Sequence, residues 1–399
     1  MSDFDVLIVG TGIVGHASAF TLSRLGLRVG VVGQSGIKAN VQRTANGRPP
    51  FGNRVFAIRP SIKKFLTESL VWDGLSKERI QSITRMNVEG DAGERLTLDA
   101  HEAGVLELAW IVESENLKKS ITKQLTNEPM VTQFNADITD VQRGGDEVRL
   151  ATSQGLFTCK LLIGADGSKS MVRRCCDIKI QSRDYKYTGL VANFSIAHAH
   201  RGAAYQQMGS SGVIGYLPLP GNLVSVVWST SDDLSGKINE ETILSELKNR
   251  YDPLNIVSME SSLGRFPLKR GTPSSAAIDR VILVGDAAHQ FLPLAGQGLN
   301  VGLADVETLA SVVKDCGDVD PGCSSVTNRY RRARREEIES FTRFTELIHD
   351  TSSSDKAVYR TFQRFGFGAV NQIGILKRFF IDKALGLSLI HISEPTRLG

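Results

Sequence analysis

Two rhythms of apolar residues alternate along the chain. Val6-Leu7-Ile8-Val9 is a short continuous apolar run. It is followed by Gly10-Thr11-Gly12-Ile13-Val14-Gly15, by a helical pattern to Leu25, by a break at Gly26 and by a second apolar run from Val29 to Val32. Short apolar runs bounded by turn residues predict strands buried on both faces, and spacings of three and four predict helix. The order is therefore strand, Gly-rich turn, helix, strand. Leu161 to Gly167 and Val281 to His289 each repeat the first part, an apolar strand running into a turn of Gly and Asp, and the latter continues through Pro293-Leu294-Ala295-Gly296-Gln297-Gly298-Leu299-Asn300 into a helix.

Between these segments the pattern changes. Met86 to Leu98 alternates as strands do, Glu113 to Leu125 is helical, and Ile138 to Val148 with Phe157 to Ile163 predicts a hairpin-like excursion. Tyr187 to Ile196, Gly212 to Leu219 and Leu223 to Ser229 predict successive strands of a second, antiparallel sheet, a natural platform for a substrate. Thr242 to Tyr251 is helical, Pro253 ends it, and Ser262 to Leu268 is expected to return the chain to the first unit, which is then discontinuous. Asn328 to Asp350 predicts a charged helix. In Lys356 to Leu387, Val370, Ile373, Phe380, Ala384 and Leu387 recur at helical steps among Lys377, Arg378 and Lys383.

The turns suggest a ligand. In a strand–turn–helix context the glycines of G-x-G-x-x-G have separate duties: Gly10 for the tight turn, Gly12 for close approach of backbone to a pyrophosphate, and Gly15 for packing of helix on strand. A Gly-Asp turn opening onto a helix aims one carboxylate and several N–H groups at a phosphorylated, ribose-bearing cofactor. Two or three remote segments would then hold one ligand, although Gly164-Ala165-Asp166-Gly167-Ser168 alone could be any tight turn. One element is missing: an acid about 20 residues past the glycines ordinarily holds the ribose hydroxyls. Gly33 and Gln34 stand there, and the Gln34 amide offers hydrogen bonds without the strength of a carboxylate.

Composition narrows the classes. A chain of 399 residues can form two or three domains around one cofactor. Its 47 Lys and Arg against 43 Asp and Glu give no reason to expect nucleic acid as the main ligand. Cys159, Cys175, Cys176, Cys316 and Cys323 lack C-x-x-C spacing, which points to reduced thiols in a cytoplasmic setting rather than zinc or disulfides. There is no secretory leader pattern at Phe4 and no apolar run long enough to span a bilayer. Leu389 to Gly399 reads as unrelated to what precedes it and is expected to be a non-native tail.

No side chain declares itself the acid or base. Tyr205, Tyr216 and His289 are titratable candidates, but aromatics on strands more often pack. His198 and His200 share one side of a strand yet lack a third metal ligand, so a surface or loop-edge role is expected and no metal. Arg331-Arg332-Ala333-Arg334-Arg335 could dock an acidic partner, although a solvated helix face is the commoner meaning. The basic, apolar C-terminal helix suits either a membrane surface or a lid over the second sheet.

With its three turns in this order, the chain resembles FAD-dependent aromatic hydroxylases of the para-hydroxybenzoate hydroxylase type. Four segments are similar to the ubiquinone-biosynthesis hydroxylases within that group: Arg54-Val55-Phe56-Ala57-Ile58, Trp110-Ile111-Val112-Glu113, His198 to Tyr205, and Pro293 to Gly298. The late segment Ala369 to Phe380 with Ala384-Leu385-Gly386-Leu387 extends the likeness to about Ser388. The resemblance implies an α/β fold: a discontinuous Rossmann-like FAD-binding domain (1–68, 100–178 and 276–318), an inserted antiparallel-sheet substrate domain (69–99 and 179–275), C-terminal helices (319–388) and the tail (389–399). It implies FAD held by Gly10, Gly12, Gly15, Arg54, Asp166, Gly167, Gly285, Asp286, Gly296 and Gly298, with Pro293, Gly296, Gln297 and Gly298 beside the flavin. The family's usual glutamate is replaced by Gly33.

The activity implied is hydroxylation of an aromatic ring of a polyprenylated ubiquinone precursor through a flavin C4a-hydroperoxide, since side chains alone supply no reactive oxygen. O2 is the co-substrate, and electrons come from NAD(P)H or from a separate reductase. The implied location is cytoplasmic, with peripheral contact on the inner membrane face and membership of a ubiquinone-making complex as further readings. Two other functions remain open at this point: a flavin oxidase or reductase of the same fold, and a flavin-poor structural member of such a complex.

Overall fold

The computed structural model describes residues 2–34, 50–91, 93–209, 211–291 and 298–353. In chain order it comprises β1 (Phe4–Val9), α1 (Ile13–Ser23), β2 (Val29–Val32), β3 (Val55–Ile58), α2 (Pro60–Glu68), β4 (Ile80–Ile83), β5 (Arg85–Gly90), β6 (Arg95–Asp99), β7 (Ala109–Glu113) and α3 (Ser114–Thr126). There follow β8 (Val131–Phe134), β9 (Ile138–Gly144), β10 (Glu147–Thr152), β11 (Gly155–Gly164), α4 (Met171–Cys175), β12 (Ile180–Ile196), β13 (Ala203–Gly209), β14 (Gly212–Leu219) and β15 (Leu223–Ser231). The last are α5 (Asp232–Ser235), α6 (Ile243–Arg250), β16 (Ile256–Met259), β17 (Gly264–Pro273), β18 (Ala277–Ile278), β19 (Val281–Leu283), α7 (Gly298–Cys316) and α8 (Ser324–Ser353).

The first sheet runs β18-β19-β11-β1-β2-β8, with β19, β11, β1, β2 and β8 mutually parallel. Alternation divides its residues between two cores. Val6, Ile8, Val29, Val31, Leu161 and Ile163 pack under Phe20 and Leu22 of α1, Leu309 and Val312 of α7 and Tyr330 of α8. Leu7, Val9, Val32, Leu162, Val281 and Leu283 face the opposite side, against Val141, Val148 and Leu150 of the β9–β10 hairpin. Burial on both faces is why these strands read as unbroken apolar runs. Each such side chain contributes about 2 kcal/mol by leaving water.

The second sheet runs β16-β12-β15-β14-β13-β5-β6, with β17 also on β12. It is antiparallel except where β5 lies parallel to β13. β5 arrives from a hundred residues upstream, so no hairpin dictates its direction. β13 was not foreseen as a strand, and Gly264–Pro273 pairs along β12 rather than returning to the first sheet, which the chain rejoins at β18. A third sheet, β3-β7-β4, lies between the two, with Ala57 and Ile111 sharing a core with Val88, Leu98 and Leu219 of the second sheet. α8 binds the parts together. Tyr330 Oη donates to Leu283 O at 3.2 Å, Glu337 pairs with Arg59 of α2 at 3.0 Å, and Glu346 pairs with Arg270 of β17. The C-terminal region from residue 354, including the amphipathic stretch and the tail, lies outside the described residues.

His16, in the first turns of α1, is buried where α1 meets α3, its Nδ1 lying 3.3 Å from Thr122 Oγ1. Burial, aided by Lys118, lowers its pKa to about 4. The unfolded chain takes up this proton below about pH 6.5 while the folded chain resists it to about 4. Stability is therefore full above pH 6.5 and falls by about 3 kcal/mol on acidification to pH 4. His16→Gln should flatten this part of the profile, measured by urea denaturation at half-unit pH steps.

Candidate functional site

Because β19, β11 and β1 are neighbours, the turns that leave their carboxyl ends meet. Ala165 N donates to Val9 O at 2.8 Å, and Val284 N donates to Gly164 O at 3.0 Å. Gly10 has φ +126°, and a Cβ there would overlap the Ala165 carbonyl, so only glycine suits the crossing of the two turns. A Cβ on Gly15 would overlap the Gly10 carbonyl oxygen. Gly12 differs: a Cβ there meets nothing within 4 Å. It is the N-cap of α1 and offers no side-chain cap, so the first N–H groups of the helix are left without a capping side chain among the described residues. Gly285, at φ +58°, rests on Val14 of α1, and a Cβ on Gly302 of α7 would lie 3.1 Å from the Gly285 Cα. Helix and turns are packed as one unit.

The acids of these turns have different tasks. Asp166 Oδ2 accepts from Met171 N at 2.6 Å and Val172 N at 3.1 Å, capping α4, while its buried Oδ1 has no hydrogen-bond partner among the described residues. Arg173, buried at 5% exposure, donates to Ser168 O and to Ala287 O, tying the second turn to the third. Asp286 keeps its side chain exposed at the mouth of the third turn. The protein around it raises its carboxyl above the ordinary carboxylate value, with Arg54 and His289 opposing. Exposure combined with desolvation marks a recess.

Beneath this turn lies a buried ionic group that sequence reading missed. Asp305 of α7 accepts from Gly285 N at 2.9 Å and from Arg334 Nε of α8 at 2.7 Å, and His289 Nε2 stands 3.4 Å away. Burial alone would raise the Asp305 carboxyl, but His289, Arg334 and the Gly285 N–H hold it below its ordinary value. An acid set among the apolar residues Val301, Leu303, Ala304 and Val306 of α7 was a usable signal for Asp305. Arg334 gave none, and the expectation of a solvated arginine face is corrected for it: it is 3% exposed, whereas Arg335 beside it is exposed and paired with Glu339.

A second missed set holds the approach to Arg54. Glu113 is buried and accepts from Gly52 N at 2.7 Å and from Arg79, which also donates to Pro50 O. Asn193 of β12 donates to Phe51 O at 2.9 Å. Residues 50–53 are thus fastened to both the third and second sheets, and the Arg54 guanidinium lies 5.3 Å from the Phe56 ring, close enough to Asp286 to act on its carboxyl. Asn193 lies on the face of β12 opposite Leu190, Ala192 and Phe194, which pack outward under α6. The face bearing Asn193 therefore looks toward residues 51 and 52.

Of the other candidates, Tyr216 is buried with its phenol donating to Tyr251 O, burial pushes its pKa up, and Tyr205 packs in the same outer core. Neither faces the turns. His200 is buried with Nε2 between Leu219 O and Gly221 O, at 2.9 and 3.0 Å, while His198 is exposed. His289 is buried beside Asp305 and stacks on Phe291. No His, Cys, Asp and Glu cluster among the described residues could hold a metal ion. Gly298 begins α7 with open space around it, whereas Pro293, Gly296 and Gln297 lie outside the described residues.

The arrangement fits a dinucleotide: a helix N-terminus whose N-cap is glycine, a buried carboxylate oxygen at the second turn without a hydrogen-bond partner among the described residues, and a recessed acid at the third. The family profile described as "FAD binding domain" matches residues 3–317. The chain belongs to this FAD-binding family. Within it, the ubiquinone hydroxylase UbiL of Rhodospirillum rubrum is 32% identical over 99% of this chain and 92% of that protein. The 3-demethoxyubiquinol 3-hydroxylase of Escherichia coli is 27% identical over 96% and 98%. The fold is shared with p-nitrophenol 4-monooxygenase PnpA of Pseudomonas putida, at a TM-score of 0.77 and 20% identity, covering 96% of this chain and 99% of that one. It is shared too with Klebsiella pneumoniae HpxO complexed with FAD and uric acid, at 0.74 and 17%, covering 95% and 96%. FAD is the cofactor of this family member, and an α/β cofactor unit with a second sheet and C-terminal helices is its architecture.

Proposed function

We propose that the protein is an FAD-dependent monooxygenase that hydroxylates an aromatic ring of a polyprenylated ubiquinone precursor. The observation that carries this reading is the 32% identity to a ubiquinone hydroxylase over nearly the full length of both chains, on a scaffold whose three turns converge. When bound and reduced, FAD supplies the activated oxygen from O2. The free N–H groups of α1 beyond Gly12 receive the pyrophosphate, where the helix dipole favours negative charge. Asp286 accepts from cofactor hydroxyls, Asp166 and Gly167 close the second side, and Arg54 stands near the flavin. Residues 1–68, 100–178 and 276–318 form the cofactor domain in this reading, and 69–99 with 179–275 the substrate domain.

The inner face of the second sheet, with Val191, Val227 and Leu217 around Asn193 and Ser225, excludes water from the reacting ring and orients it. A polyprenyl tail resides in lipid, so the reading includes contact with a membrane surface. No helix among the described residues is long and apolar enough to cross one.

The test is reconstitution of the purified protein with FAD, followed by turnover of a short-tailed prenylphenol under 18O2. A yellow protein that puts one labelled atom into the product is expected. Protein that stays colourless overturns the reading, and label found only in peroxide or water assigns a flavin oxidase instead. Anaerobic NADH or NADPH bleaches the flavin if nicotinamide is the direct donor; an unbleached flavin assigns electron delivery to a separate reductase.

A further inference from the structure

The end of β2 lacks the acid that a ribose needs, and the structure places another beside it. Gly33 N donates to Phe134 O at 3.1 Å, which carries the edge strand β8 alongside β2 up to the cofactor turn. Three residues on, the carboxylate of Asp137 accepts from Gln34 Nε2 with both oxygens at 3.1 Å. The Gln34 backbone is in turn fastened to the phosphate loop, its carbonyl accepting from Thr11 Oγ1 at 2.7 Å. Asp137 is held from behind, where its N–H donates to Ser153 Oγ at 3.1 Å and its carbonyl accepts from Ser153 N at 2.9 Å. A carboxylate has about four acceptor positions and one amide occupies part of them. Asp137 is exposed, so among the described residues the others are open.

We propose that Asp137, positioned by Gln34, receives the adenosine ribose hydroxyls of FAD in place of the carboxylate absent at Gly33. This rests on the FAD reading above. Restoring an acid at position 33 is a poor substitute: Gly33 has φ +155°, and a Cβ there would press on Thr11 Cγ2 at 3.3 Å. Glutamine is suited to the bridging role, since its amide donates to the carboxylate without neutralising it.

The experiment titrates FAD and its analogue lacking the adenosine 2′-hydroxyl into apoprotein, following flavin fluorescence, for the wild type and Asp137→Asn. The wild type should prefer FAD about tenfold, as for a hydroxyl bonded to a charged acceptor, and the variant less than about twofold. Because both ligands meet the same protein, a folding defect would weaken them equally and leave the ratio intact. Binding of FAD without discrimination in the wild type, or equal discrimination in both proteins, overturns the role of Asp137 alone. A wild type that binds neither ligand overturns the FAD reading as well.

Discussion

Gly15→Ala should destabilise the fold at the cofactor site, while Gly12→Ala should leave the fold intact and abolish tight FAD binding. At Gly15 the new methyl would occupy the space of the Gly10 carbonyl oxygen, and Ala165 Cβ lies 3.4 Å away on the other side. The clash is with backbone, so α1 must move off β1. Overpacking of this kind costs about 3 kcal/mol, roughly a 5 °C fall in Tm for a chain of this size. At Gly12 the backbone is extended, at φ −77° and ψ 177°, and a methyl meets no protein atom within 4 Å. Stability should stay within about 0.5 kcal/mol. The methyl instead enters the space in front of the helix N–H groups, and FAD affinity should fall about a hundredfold by losing close contact with the phosphates. Calorimetry and fluorescence titration on both variants separate the two outcomes. A Gly12→Ala protein that keeps wild-type FAD affinity removes the α1 N-terminus from the site.

Arg334→Leu should be the most damaging substitution far from the cofactor turns in sequence. It leaves Asp305, fully buried, with His289 and the Gly285 N–H as its remaining partners. Breaking a buried pair from one side costs about 3–5 kcal/mol. The pH dependence carries the signature. In the wild type the Asp305 pKa is depressed, so its stabilisation is present above the ordinary carboxylate value and lost as pH falls through the folded one. Without Arg334 burial dominates and the carboxyl rises. Protonation on mild acidification then removes the buried charge, so the deficit relative to wild type should be largest at pH 7.5 and shrink by pH 4.5. Denaturant titrations at the two pH values measure it, and a deficit independent of pH would show that the loss is one of packing. Arg334→Leu combined with Asp305→Leu should recover part of the stability but not FAD affinity, because the Gly285 N–H loses its acceptor.

The cofactor unit was legible because its signals are local. Gly15 is demanded by the Gly10 carbonyl within its own turn, the glycine at position 10 is part of the same short spacing although its contact is with the distant Ala165 carbonyl, and the apolar runs at β1, β2, β11 and β19 follow from burial on both faces. The second sheet was legible at β12, β14 and β15, where hairpin neighbours alternate. It was missed at β13, and β17 was assigned to the wrong sheet. β13 holds its parallel neighbour through a crossover and β17 is joined to β12 across residues 197–263, and neither relation leaves a periodic trace. Tyr216 and His200 show the reverse case. Their residue types invite chemistry, yet their polar atoms are taken up by nearby carbonyls.

The sequence alone determined that strand, glycine turn and helix succeed one another at the start of the chain, that two further strands end in a Gly and Asp turn, and that the whole resembles an FAD-dependent hydroxylase. Sterics and burial over a few residues suffice for that. Only the tertiary structure decided that Asp166 caps a helix with one oxygen, that Arg173 joins two turns, that Arg334 is buried on Asp305, and that Asp137 stands beside Gln34 from 103 positions away. Such pairs are chosen by how sheets and helices stack. A charge in a sequence carries no record of the partner that the packed chain brings to it.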